Sequence, residues 1–172
     1  MANDQLIASV QAIGIPTANG EIDLEFPEFL RWLNSASTAG HGDEFAMLKA
    51  AGPLPPCVAH CFTGTLAEAE DYLALGLNIG ITGWICDERR GGHLHDVVRR
   101  IPVDRLMIET DGPYLLPRTL SPKPASRRNE PAFLTEVARV VAEARGESVA
   151  SLAASSTEVT TRFFRIKSTA IT

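Results

Sequence analysis

At 172 residues, with 45% hydrophobic residues, 22% charged residues and a net charge of −5, the chain has the size and composition of one soluble globular domain. The negative balance excludes a general basic field for nucleic acid, so any such contact must come from a local patch. Cys57, Cys61 and Cys86 are too few and too irregularly spaced for a disulfide framework or a zinc cluster. No apolar run approaches membrane-spanning length, and Met-Ala-Asn-Asp-Gln at the start lacks a signal peptide's basic and apolar regions. A cytoplasmic protein with reduced, buried thiols and no membrane partner is expected.

In chain order, residues 1–42 form a segment of weak pattern, set apart from residues 43–172. Residues 6–15 are mildly apolar, 16–20 read as a turn, and 21–26 alternate polar and apolar with the period of a half-exposed strand. Residues 27–33 suit a short helix and 34–42 a loop. From position 43 the pattern becomes regular. Phe45, Met47, Leu48 and Ala51 predict a helix stopped by Gly52-Pro53. Residues 57–62 form a short buried strand. Thr65 and Glu68 then make a capping box at the head of a helix that ends at Gly76. A strand over 77–82, a loop over 83–92, a helix over 93–101 broken by Pro102, and a strand over 106–108 follow. Strand, helix, strand, helix, strand predicts an α/β fold, with parallel strands joined by right-handed crossovers. A Pro-rich loop over 112–131 leads through Asn129-Glu130-Pro131, a helix-start signal, into helical text as far as residue 165.

Each of these strands ends in polar residues: His60 with Cys61, then Thr82-Gly83-Trp84, then Glu109-Thr110-Asp111. Imidazole and carboxylate at neighbouring strand ends suit a divalent ion such as Zn, Mn or Mg, which can activate water while a carboxylate takes the proton. Taken singly, His60 is as readily a satisfied core histidine, and Asp111 as readily the first residue of an Asp-Gly-Pro turn. Two candidate ligands also fall short of the three that a catalytic zinc normally has.

The segments His60-Cys61-Phe62-Thr63-Gly64-Thr65, Ile79-Gly80-Ile81-Thr82-Gly83-Trp84-Ile85-Cys86-Asp87-Glu88-Arg89-Arg90-Gly91, Ile108-Glu109-Thr110-Asp111-Gly112-Pro113-Tyr114-Leu115 and Arg127-Arg128-Asn129-Glu130-Pro131 occur in an order and at a spacing that closely resemble the TatD family. That resemblance runs from about residue 43 to the C-terminus. It implies a metal-dependent deoxyribonuclease on a TIM-type (β/α)8 barrel, of which this chain carries a part, with the N-terminal strands missing or divergent. It makes His60 a metal ligand and Asp111 a ligand and the general base. Asn129 and Glu130 occupy the family's Arg-Asn-Glu-Pro motif, for which helix capping is the expected account.

The departures are as definite. A complete barrel needs about 250 residues, and the family's paired first-strand histidines have no counterpart in residues 1–20. Gly20-Glu21-Ile22-Asp23-Leu24 is similar to a family segment whose glutamate bridges two metals, which makes Glu21 a ligand candidate. The same segment lies too close to His60 for the intervening helix and strand, and a chance match explains it equally well. The family's further histidine would fall near Ala36, whose methyl side chain cannot bind metal, and His41 resembles the family's non-ligand histidine in the helix-opening loop.

Arg89, Arg90, Arg127 and Arg128 sit in loops after strands, where guanidinium forks can grip phosphates or simply meet solvent. Trp84 and Tyr114 can stack on bases or pack, and His93 and His95, two apart on a helix, are expected on the surface. The leading expectation is a hydrolase of DNA phosphodiester bonds, single-stranded DNA included. The competing one is a shortened, catalytically silent relative that serves as a binding or scaffold protein or is the product of a damaged gene. A part-barrel leaves sheet edges open, which predicts self-association.

Overall fold

The computed structural model describes residues 9–12, 41–51 and 53–166. Its centre is a four-stranded sheet in the spatial order β1 (Ser9–Ala12), β2 (Cys57–His60), β3 (Asn78–Ile81) and β4 (Leu106–Ile108). The helices are α1 (His41–Ala50), α2 (Leu66–Ala74), α3 (Leu94–Arg100), α4 (Leu134–Arg145) and α5 (Val149–Phe163). Short 3-10 turns cover Gly83–Cys86 and Pro131–Phe133. Strands β2, β3 and β4 are parallel, with Ala59 beside Ile79 and Gly80 beside Met107. This is the predicted α/β succession. β1 is the addition: it runs antiparallel to β2, with Ser9 opposite His60 and Ala12 opposite Cys57. The strand and helix expected over 21–26 and 27–33, and the candidate Glu21, lie outside the described residues.

Period-two alternation divides the sheet into two faces. Cys57, Ala59, Ile79, Ile81 and Leu106 point into the main core, where they meet helices α2, α3 and α4. Each fully buried Leu or Ile there contributes about 1.5–3 kcal/mol relative to exposure. Val58 and Met107 point the other way and form a smaller cluster with Val159 and Phe163 of α5. Helix α5 therefore reaches both sides of the sheet: Leu152 belongs to the main core, Val159 to the opposite face. Between them Ser156 touches the edge of β4, its hydroxyl accepting the N–H of Ile108.

The helix ends explain why the chain turns where it does. The Thr65–Glu68 capping box is present, both side chains bonding back to the backbone of the other. Gly146 at φ 71° ends α4 in a left-handed conformation that a Cβ disfavours, and Ser148 opens α5 by accepting the N–H of Ser151. The helical text expected as far as residue 165 is thus divided into two helices. Arg145 reaches from the end of α4 to the carbonyls of Val98 and Ile101, and Arg99 reaches back to the carbonyl of Ala144. The pair ties the C-terminal ends of α3 and α4 together, where unbonded carbonyls and the helix dipole both favour cations. Among the described residues no helix is long and apolar enough to cross a membrane.

Candidate active site

The C-terminal ends of β2 and β4 bring two of the predicted residues together. His60 is the last residue of β2 and shares the face of Val58. Beyond β4, Glu109 and Asp111 continue the face of Met107 at intervals of two. Nε2 of His60 lies 3.6 Å from Oδ1 of Asp111, too far for a hydrogen bond but close enough for strong attraction when the ring is charged. Nδ1 of His60 lies 2.8 Å from Oε2 of Glu109, and the same oxygen accepts the backbone N–H of Cys61 at 3.0 Å. The hydrogen bond that Nδ1 donates to Glu109, with the charges of Glu109 and Asp111, holds His60 above its ordinary pKa against the opposing effect of burial.

The backbone is specialised at these points. Cys61 at φ 51° and Asp111 at φ 55° both lie in the left-handed region, which costs a non-glycine residue on the order of 1–3 kcal/mol. Asp tolerates it better than most. Asn129 is buried at the far end of the 112–129 loop. Its side-chain amide donates to the carbonyl of Thr110 at 2.6 Å, and its own N–H donates to Pro113. Asn129 therefore pins the loop against the backbone beside Asp111, and its side-chain oxygen accepts the N–H of the next residue, Glu130, at 2.9 Å rather than an N–H within the 131–133 turn. Glu130, at the head of the 3-10 turn, makes no side-chain cap bond either.

Glu109 is the residue the sequence reading passed over, although it sits in the same triplet as Asp111. Its signal was the interval of two from Met107 to Glu109 to Asp111, which places all three on one face. Thr82, fully buried, caps the 83–86 turn through the N–H of Trp84, and its hydroxyl lies 3.5 Å from Sγ of Cys61. Burial pushes the thiols of Cys57, Cys61 and Cys86 up to about 11, so all three are neutral, unpaired thiols.

The predicted arginines divide. The N–H of Arg89 donates to Asp87 at 3.0 Å, and its guanidinium lies 3.7 Å from the same carboxylate. The guanidinium of Arg90 stacks 5.9 Å from the centre of the Trp84 ring. Arg127 and Arg128 are exposed on the 112–129 loop. Arg118, not singled out before, bridges Asp87 and Glu88 at 3.7 Å. His93 and His95 are engaged by the carbonyls of Thr63 and Ile85 at 3.0 and 3.2 Å. Tyr114 is 71% exposed three residues beyond Asp111.

Donor chemistry and spacing at His60 and Asp111 suit one end of a divalent metal site. Ligand bonds of about 2.0–2.2 Å to nitrogen and oxygen add up to more than the 3.6 Å between the two atoms, so both can reach one ion. Among the described residues no group of three or more His, Cys, Asp or Glu side chains is arranged to hold a metal. The fit is therefore to two ligands of a set.

The family described as TatD related DNase matches residues 37–165. A protein of Pectobacterium parmentieri named 3'-5' ssDNA/RNA exonuclease TatD is 56% identical over 115 residues, which are 67% of this chain and 44% of that protein. The protein of the same name from Erwinia billingiae is 60% identical over 99 residues, 58% of this chain and 38% of its own length. Among solved structures, a TatD homologue of Escherichia coli K12 aligns with a TM-score of 0.63 at 28% identity, covering 74% of this chain and 47% of that one. The chain thus spans less than half the length of the relatives it matches.

Proposed function

Given that the chain belongs to the TatD-related DNase family, we propose that it carries part of a metal-dependent phosphodiester hydrolase site acting on DNA, with single strands as the preferred substrate. The observation that carries this reading is the convergence of His60 and Asp111 at 3.6 Å where two parallel strands end. Nε2 of His60 and the carboxylate of Asp111 would hold a divalent ion (Mg, Mn or Zn). Such an ion, when bound, lowers the pKa of water and screens charge on a phosphate.

The chain's own residues do the rest. Asp111 stands at the site with one oxygen toward His60, placed to accept the proton of an attacking water. The strained backbone at Asp111 and the clamp from Asn129 hold it there. Arg127 and Arg128 follow on the same loop and meet backbone phosphates by charge. Arg89 and Arg90 are committed in part to Asp87 and Trp84, and contribute less. Tyr114 offers an exposed ring on which an unpaired base can stack, which favours single strands.

A second reading, a non-catalytic relative that serves as a binding or scaffold protein, is favoured by one observation: among the described residues two metal donors converge, where a catalytic zinc normally has three. One experiment separates the two. The full chain and its Asp111→Asn variant are incubated with an end-labelled single-stranded oligonucleotide and magnesium or manganese. Cleavage by the wild type that falls at least a hundredfold in the variant supports the hydrolase. Retention of the oligonucleotide without cleavage supports the binding protein. Cleavage unchanged by the substitution overturns the assignment of Asp111.

A further inference from the structure

We propose that Glu109 is the positioning residue of this site, seated in the space that Gly80 leaves empty, and that it fixes His60 with Nδ1 protonated and Nε2 presented to Asp111. The proposal rests on the reading of His60 as a ligand and adds the element that orients it. Two residues past the Val58–Asn78 pair, His60 and Gly80 fall in one row of the sheet, and Met107 stands on the other side of Gly80. Glu109, two residues beyond Met107 on the same face, reaches back across β3. That path exists only because position 80 has no side chain. A Cβ on Gly80 would lie 2.1 Å from Oε1 of Glu109, 2.4 Å from its Cδ and 2.7 Å from Oε2.

The carboxylate is well placed to set the ring. Oε2 receives two bonds, one from Nδ1 of His60 and one from the N–H of Cys61, so it is anchored to backbone as well as to imidazole. A carboxylate takes hydrogen bonds and gives none when ionised, so the ring nitrogen facing it must carry the proton. The other nitrogen, which faces Asp111, is then the free electron pair of the neutral ring. A carboxylate behind a histidine acts in this way on ring orientation and basicity at metal centres generally. The atoms a Cβ would meet are the far end of a flexible side chain, not backbone. Gly80→Ala is therefore expected to fold, with the Glu109 carboxylate displaced from His60.

The test is the ring spectrum of His60 in the metal-free, uniformly 15N-labelled full chain, at a pH where the ring is neutral. Its signals are assigned by their loss in His60→Gln. The wild type is expected to show the Nδ1–H form. Glu109→Ala and Gly80→Ala are each expected to move the ring to a majority Nε2–H form, with the cooperative melt retained. The double variant should match the singles, because the carboxylate is already gone; it also supplies the answer if Gly80→Ala alone does not fold. A wild-type ring in the Nε2–H form, or one unchanged by loss of Glu109, overturns the proposal. Neither metal nor nucleic acid enters this measurement. An inactive chain with an Nδ1–H ring would sink the hydrolase reading and keep this one, and an active chain with an unchanged ring would do the reverse.

Discussion

The hydroxyl of Ser156 accepts the backbone N–H of Ile108 at 3.2 Å, and with that bond α5 occupies the outer edge of β4. The opposite edge of the parallel strands, on β2, is occupied by β1. Both are places where an unpaired strand would otherwise recruit another chain. Ser156 is buried, so Ser156→Ala leaves the Ile108 N–H without its partner, at a cost of about 1–3 kcal/mol. Urea melts should register that loss, and size-exclusion chromatography should show more self-association than in the wild type. Equal stability and an equal elution profile would mean that water serves this N–H and that the edge is not guarded by Ser156.

Arg145 yields a second prediction. Its side chain, 13% exposed, carries the carbonyls of Val98 and Ile101 at the end of α3 and pairs with Glu147 at 2.6 Å. Arg145→Met keeps the volume but strips the acceptors of their donor, which is expected to cost about 1–3 kcal/mol. Lysine should recover only part, since one ammonium cannot match a fork that meets two carbonyls and a carboxylate. Thermal melts of the three proteins should rank Arg above Lys above Met. A lysine variant as stable as the wild type would show that charge alone matters there.

The elements that could be read in advance are those with local causes. Thr65 and Glu68 sit three apart at a helix start, Pro102 ends a helix, and strand ends at His60 and Asp111 break from apolar to polar within a residue. What escaped notice depends on distant partners. β1 is four residues of mild character that become a strand only by pairing with β2, almost fifty residues on. The role of Glu109 depends on a gap at Gly80 and a ring at His60, and Asn129, which looks like a helix cap, ties the Thr110 carbonyl to the Glu130 N–H. The Gly146 break was legible, since Gly is the usual residue just past a helix end.

Asp87 fixes the sign of an acid effect. Its carboxylate accepts the N–H of Arg89 and faces the guanidiniums of Arg118 and Arg89, which hold its pKa below the usual carboxylate value. A depressed carboxylate pKa adds stability that is present above the unfolded value, near 4, and is lost as pH falls through the folded value. Asp87→Asn should therefore be less stable than the wild type at pH 6, and the gap should narrow as pH falls toward 3. A gap that persists undiminished at pH 3 would assign the loss to shape or hydrogen bonding rather than to charge.

Metal binding can be measured without turnover. If His60 and Asp111 hold an ion, manganese(II) should stabilise the chelator-treated chain by about 2.7 kcal/mol at a hundredfold excess over the dissociation constant. Asp111→Asn should abolish that gain while leaving the metal-free melt nearly unchanged, because Asn also tolerates the left-handed backbone found at φ 55°. His60→Gln should do the same to the gain. Glu109→Gln should keep it at an affinity lowered by about 10–100-fold, the usual cost of losing the carboxylate behind a ligating histidine. His93→Gln is the control: that ring is engaged by the Thr63 carbonyl and should not affect the response. A manganese shift that survives both Asp111→Asn and His60→Gln would place the ion elsewhere. The two strand ends would then be neighbours by fold alone.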